Sequence, residues 1–250
     1  MENSRFLDCL AADFARLRAV AQLDPAGAVP TCPGWTVADL TRHVGEVYLH
    51  KTMAIRDGVE PEQWPPAELA AEEPLSLLDR AYAELRGELT TRDPAERAGS
   101  WYAPDPTVGF WIRRMAQETV IHRVDAELGA GQPVAPIPAD LAVDGVDELL
   151  KVFVAYCVGE WTSSFKEVLD GSPGRTFALR TDGAAWTVRT APGTFTVDDG
   201  DARAVDVTIS GPPAALLRWV WHRQPGAEVT VTGAAEALDE LHGCITIATQ

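Results

Sequence analysis

The sequence predicts an α+β protein of two domains, a helical bundle over residues 1–155 and a small α+β domain over residues 156–250. Three observations predict it. Apolar residues recur at helical spacing through the first two thirds of the chain. Beyond about residue 170 the pattern becomes short alternating strands separated by Gly and Pro. No internal repeat or low-complexity tract interrupts this order.

The first helix spans residues 4–22, where Phe6, Leu7, Leu10, Phe14, Leu17 and Val20 recur at helical spacing and Ser4 can cap the start. Turns follow at Asp24-Pro25-Ala26-Gly27 and Thr31-Cys32-Pro33-Gly34-Trp35. Thr36 and Asp39, three apart, read as a capping pair that opens a second helix, ended by Gly58. Pro61, Pro65 and Pro66 mark a connection to a third helix over 74–90. A loop from Thr91 to Val108 precedes a fourth helix over 109–128, stopped by Gly129 and Gly131. A fifth is predicted from Pro138 to Val154. Strands follow at 176–180, 185–189, 194–197 and 205–209, with Asp182-Gly183 as the hairpin turn between the first two. A helix over 212–222, a strand at 229–231 and a helix over 234–241 complete the chain.

Acidic residues outnumber basic ones 37 to 21, for a formal charge of −16. A phosphate backbone or an anionic membrane calls for clustered Lys and Arg, so neither nucleic acid nor membrane is expected as a partner. The acidity marks a solvated surface. No run approaches the roughly 18 apolar residues of a membrane span. Met1-Glu2-Asn3-Ser4-Arg5 lacks the basic and apolar regions of a signal peptide, and the expected location is the cytoplasm. Cys9, Cys32, Cys157 and Cys244 have no CxxC spacing and read as reduced thiols. Cys32, next to Pro33-Gly34, is the least ordinary, but no local histidine marks it as a nucleophile.

The stretch richest in chemistry is Arg113-Arg114-Met115-Ala116-Gln117-Glu118-Thr119-Val120-Ile121-His122-Arg123. Glu118 and His122, four apart on a helix, can point at one spot. His43 in the second helix supplies a third donor if the two helices are neighbours. Two nitrogens and one oxygen suit Zn2+ and leave a coordination position open for chemistry; Ni2+ and Co2+ accept similar donors. A competing reading pairs Glu118 with Arg114, one turn earlier, and leaves His122 a partly buried polar residue. Glu46 and His50 repeat the spacing, but His50 lies about 10.5 Å along the axis from His43, too far to share an ion directly.

Two segments together resemble the mycothiol-dependent maleylpyruvate isomerase family. They are Thr31-Cys32-Pro33-Gly34-Trp35-Thr36-Val37-Ala38-Asp39-Leu40 through His43, and Arg113 through Glu118 and His122 to Glu127. The resemblance runs over essentially the whole chain. It implies a DinB-like up-and-down four-helix bundle followed by a sterol-carrier-like α+β domain. It also implies His43, Glu118 and His122 as zinc ligands, with the thiol of mycothiol as cosubstrate at the open position. A free alkyl thiol has a pKa of about 8.5 and is mostly protonated at neutral pH, whereas a coordinated thiol loses its proton. The thiolate can add to a conjugated alkene, allow rotation and leave, which isomerises a cis double bond. Addition without elimination, or displacement of a leaving group, makes the same site an S-transferase, and the metal motif does not choose between them.

A maleylpyruvate-like dianion calls for Arg close to the metal. Arg114 is the expected catalytic candidate on the bundle, with orientation of Glu118 as its alternative role. Arg223 is the second. It follows Leu217-Arg218-Trp219-Val220-Trp221-His222, which matches a helix that in relatives often ends in a Trp-Gly-Arg-like pattern, with His222 here in place of the small residue. Arg113 and Arg123 are expected to be solvated, and Asp125, three residues after His122, to lie on the surface, with a hydrogen bond accepted from a neighbouring group as its alternative. His242 reads as structural or surface, and Trp35 and Trp101 as core or pocket wall. Monomer and homodimer stay open. So does a non-catalytic module that binds a small ligand with a structural metal or none, which a fourth donor from Glu46 or His50 would favour.

Overall fold

A computed structural model describes residues 1–223 and 228–249, which divide into two compact units, Met1–Ala135 and Pro136–Gln250. The first is built from α1 (Asn3–Ala21), α2 (Val37–Asp57), α3 (Pro74–Thr91) and α4 (Val108–Gly129). The capping pair at the start of α2 is present: Thr36 Oγ1 accepts from the Asp39 N–H at 3.2 Å, and Asp39 Oδ2 accepts from the Thr36 N–H at 2.9 Å. Gly58, at φ 74°, ends that helix in the left-handed region that favours glycine. Thr107 caps α4 by accepting from the Phe110 N–H at 3.2 Å.

Helix α2 packs along α3, and α1 along α4, with α2 also against α4. Gly45 allows the first close approach, since a Cβ there would fall 2.9 Å from Leu77 Cγ and 3.2 Å from the Leu78 nitrogen. Between α2 and α4, the buried Tyr48 hydroxyl meets Thr119 Oγ1 at 2.5 Å.

Helix α4 is buried on most sides, and this corrects two expectations drawn from its helical wheel. Arg123, expected in solvent, is 1% exposed. Its Nε lies 2.9 Å from Asp13 Oδ1 and its NH1 2.8 Å from Glu127 Oε2, while Arg16 Nε donates to Glu127 Oε1 at 2.7 Å. Burial pushes the Asp13 carboxyl up, against the opposing pull of Arg123. Asp125, expected on the surface, is fully buried. A helix flanked by neighbours on several sides has no solvent face to give such residues, so each is held by partners of opposite charge or by donors.

The second unit begins with α5 (Ala139–Glu148), which runs through a π-helical segment, Leu149–Ala155, into α6 (Tyr156–Glu160). A short α7 (Lys166–Leu169) leads to the sheet: β1 (Arg175–Thr181), β2 (Ala184–Ala191), β3 (Thr194–Asp199), β4 (Val207–Ser210) and β5 (Thr230–Gly233). Helix α8 (Pro213–Val220) separates β4 from β5, and α9 (Ala235–Ala248) closes the chain. The sheet order is β3-β2-β1-β4-β5, with β1 and β4 parallel and the other pairs antiparallel. The Asp182-Gly183 hairpin forms as predicted, with Thr181 opposite Ala184 and Gly183 at φ 82°. Along β1, the buried residues Phe177 and Leu179 pair with Val188 and Trp186 on one side and with Val207 and Ile209 on the other.

The units part at Ala135–Pro136, some twenty residues before the 155/156 boundary expected from composition. Composition marks where strands begin, whereas α5 and its π-helical extension pack against α8, β3 and α9. Trp186 Nε1 on β2 donates to Asp147 Oδ1 on α5 at 3.0 Å. Helix α9 runs past the predicted end at residue 241, through Gly243, where a Cβ would fall 3.0 Å from Val168 Cγ2. The small residue expected before Arg223 has a backbone reason: His222 sits at φ 57°, in the left-handed region. No helix among the described residues is long and apolar enough to cross a membrane.

Candidate metal centre

Three donors converge in the first unit. His43 Nε2 on α2 lies 3.8 Å from Glu118 Oε1 on α4, and His122 Nε2, one turn further along α4, lies 3.2 Å from the same oxygen. The two imidazoles stand edge to face with centroids 5.1 Å apart. Zinc bonds of about 2.0–2.1 Å in a tetrahedron set donors about 3.3 Å apart, so this spacing fits the group. Among the described residues, no other cluster brings three His, Cys, Asp or Glu donors together. Glu46 and His50 do not join it; the His50 ring packs against Trp64 at 5.1 Å. Without a fourth protein donor, the set has the composition of a site open to an exchangeable ligand.

The carboxylate of Glu118 divides its two oxygens, so the competing readings from sequence coexist. Oε1 faces both imidazoles, while Oε2 accepts from Arg114 NH2 at 2.5 Å. Arg114 is 3% exposed, and its position fixes the rotation of the carboxylate. His122 is held from its other side, with Nδ1 2.9 Å from Asp125 Oδ2. With a proton on Nδ1, that contact would leave Nε2 free to coordinate a metal. Asp125 Oδ1 accepts in turn from Thr31 Oγ1 at 2.5 Å, and Cys32 Sγ lies 3.9 Å from Oδ2.

Protonation follows from these contacts. Burial opposes a charge on His122, but the Glu118 and Asp125 carboxylates overcome it and raise its pKa to about 9. Burial likewise opposes ionisation of Glu118, yet His122, Arg114 and His43 hold that carboxyl well below its usual range. His43 moves down, first by burial and then by the charge on His122. At pH 7.5 the metal-free site therefore carries one proton that a metal ligand must lose. Uptake of a divalent ion should release about one proton per ion, and affinity should rise with pH until His122 deprotonates near 9. Calorimetric titration in buffers of differing ionisation enthalpy reads this directly; zero protons released at pH 7.5 contradicts the assignment.

Of the three donors, His43 alone lines a cavity of about 340 Å³, together with Gly34, Trp35, Asp39, Arg42 and Glu46. His43 is the most exposed donor, at 36% of its side chain, and its ring lies 5.0 Å from that of Trp35. Arg42 spends its guanidinium on the carbonyls of Leu69 and Glu72, at 2.7 and 2.6 Å. Lys51, which sequence reasoning passed over, stands 4.6 Å over the Trp111 ring and 2.9 Å from Glu60 Oε1. Burial lowers its pKa, and its charge acts on both Glu118 and Arg114. Asp125, three residues after His122, had a usable i,i+3 signal; Thr31 had none.

Arg223 belongs to the second unit, just past α8. Its NH1 donates to the Trp221 carbonyl at 2.6 Å, and its guanidinium lies 5.6 Å from the centre of the Trp221 ring.

Comparison with known proteins accounts for both units. Residues 7–127 match the family described as mycothiol maleylpyruvate isomerase N-terminal domain, and residues 140–240 match the C-terminal domain of the same family. No curated protein matches the chain. Among solved structures it is similar to the mycothiol-dependent maleylpyruvate isomerase, at 17% identity over 93% of both chains with a TM-score of 0.63. It is also similar to a histidine-to-alanine mutant of that enzyme, at 15% identity over 93% of both chains, again with a TM-score of 0.63. At these identities the structures establish a shared fold. With its two units matching the two domains of one family in order, the chain belongs to the mycothiol-dependent maleylpyruvate isomerase family.

Proposed function

We propose that this isomerase-type enzyme is zinc-dependent and activates the thiol of mycothiol for attack on a small electrophile in the cytoplasm. The observation that carries the reading is the convergence of His43 Nε2, His122 Nε2 and Glu118 Oε1 without a fourth protein donor among the described residues. Zinc, when bound, supplies the charge that keeps a thiol deprotonated at neutral pH. The chain's own groups do the rest. Arg114 fixes the Glu118 carboxylate, and Asp125 fixes the His122 ring. Because Arg114 already spends NH2 on Glu118, we assign it a positioning role rather than the substrate contact expected from sequence. Arg223, whose NH1 is likewise taken, by the Trp221 carbonyl, keeps the role of candidate carboxylate contact expected from sequence, since Arg binds such groups in bidentate fashion. S-transfer and thiol-assisted cis–trans isomerisation of a maleylpyruvate-like substrate use the same three donors, and product analysis separates them.

Thermal shift tests the cosubstrate. A ligand that binds the native state stabilises it by about 2.7 kcal/mol at a hundredfold excess over its Kd. Mycothiol should therefore raise the melting temperature of zinc-loaded protein by several degrees and leave that of zinc-free protein unchanged. An equal shift with and without zinc would place the thiol elsewhere, and no shift at saturation would remove it from the reaction.

A further inference from the structure

We propose that the Thr31–Cys32 turn is a positioning element for His122, acting through the Asp125 carboxylate; the inference rests on the metal reading above. Asp125 is fully buried, so its charge depends on donors supplied by the protein. His122 Nδ1 supplies one at 2.9 Å. The Thr31 hydroxyl supplies another to the opposite oxygen at 2.5 Å, across 94 residues of sequence, and the Cys32 thiol stands 3.9 Å from the oxygen that His122 uses. A carboxylate gripped at both oxygens cannot swing, and the ring that leans on it keeps Nε2 aimed at Glu118 Oε1.

The grip is rigid because the turn is closed by its own backbone. The Val29 N–H donates to the Trp35 carbonyl at 2.9 Å, Cys32 N–H to Val29 at 3.1 Å and Trp35 N–H to Cys32 at 3.0 Å, while Ala28 bridges Thr36. The same turn ends at Trp35, whose ring lies 5.0 Å from that of His43. One short loop thus reaches both imidazole donors, through a carboxylate on one side and an aromatic ring on the other.

Thr31→Val removes the hydroxyl at nearly constant shape, and Thr31→Ser keeps it. Competition against a chelator of known affinity should show zinc binding weakened about tenfold in Thr31→Val, the lower end of what such outer partners contribute, and restored within twofold in Thr31→Ser. Melting of the zinc-loaded protein should fall further than melting of the zinc-free protein, a split that a purely structural role would not produce. Should Thr31→Val fail to fold, 15N NMR of wild-type His122 decides instead: Nδ1 protonated and Nε2 metal-bound supports the role, and metal on Nδ1 overturns it. Equal affinities for wild type and Thr31→Val overturn the positioning role alone. A wild-type chain that takes up no zinc overturns the metal reading and this role with it.

Discussion

His122→Ala should strip the protein of metal. Wild type purified without an affinity tag should carry about one zinc per chain, and the variant close to none, by elemental analysis. The substitution removes one of three donors and empties the partner site of Asp125, a buried carboxylate that loses its contact to Nδ1. A thiol of pKa about 8.5 is roughly 3% ionised at pH 7, so without the metal the thiolate fraction alone should fall about thirtyfold. Glu118→Gln should act in the same direction, because a neutral amide is a poorer donor and gives up the charge that Arg114 pairs with. A metal-free wild type that also refuses added zinc would sink the mechanism and turn the search to the second unit as a ligand-binding module.

Arg123→Met should destabilise the bundle strongly. It leaves Asp13 and Glu127 buried without the guanidinium that both face, and breaking one side of such a buried pair costs about 3–5 kcal/mol. At about 2–4 °C per kcal/mol for a chain of this size, melting should drop by about 10 °C. The measurement belongs in EDTA, since Arg123 follows a candidate metal donor directly and any zinc bound there would confound the comparison. Replacing Asp13, Arg123 and Glu127 together by apolar residues of similar volume should recover most of the loss, because the desolvation cost of all three charges disappears. A melting point for Arg123→Met within two degrees of wild type would mean that the network contributes specificity and little stability.

Much of the fold was legible because its boundaries are written locally. Thr36 with Asp39 at the start of α2 and Asp182-Gly183 at the hairpin each act within a few residues, and the structure uses both as read. The boundary between the units was not local. It depends on which neighbours the apolar face of α5 meets, and α8 and β3 come more than forty residues later. Within the site, the turn of helix joining Glu118 to His122 was visible from spacing. His43, 75 residues before Glu118, reads as a third donor from its place in a second helical stretch, but only the family resemblance implies that the two helices meet. The errors at Arg123 and Asp125 share one cause. A helical wheel assumes a solvent face, and α4 is buried on most of its circumference. Thr31 was invisible for a plainer reason, since its hydroxyl acquires a partner only when distant segments fold together.

The three donors, and the groups described as holding them, all fall within Met1–Ala135. The candidate donors and the groups that hold them are therefore encoded in one contiguous stretch of gene.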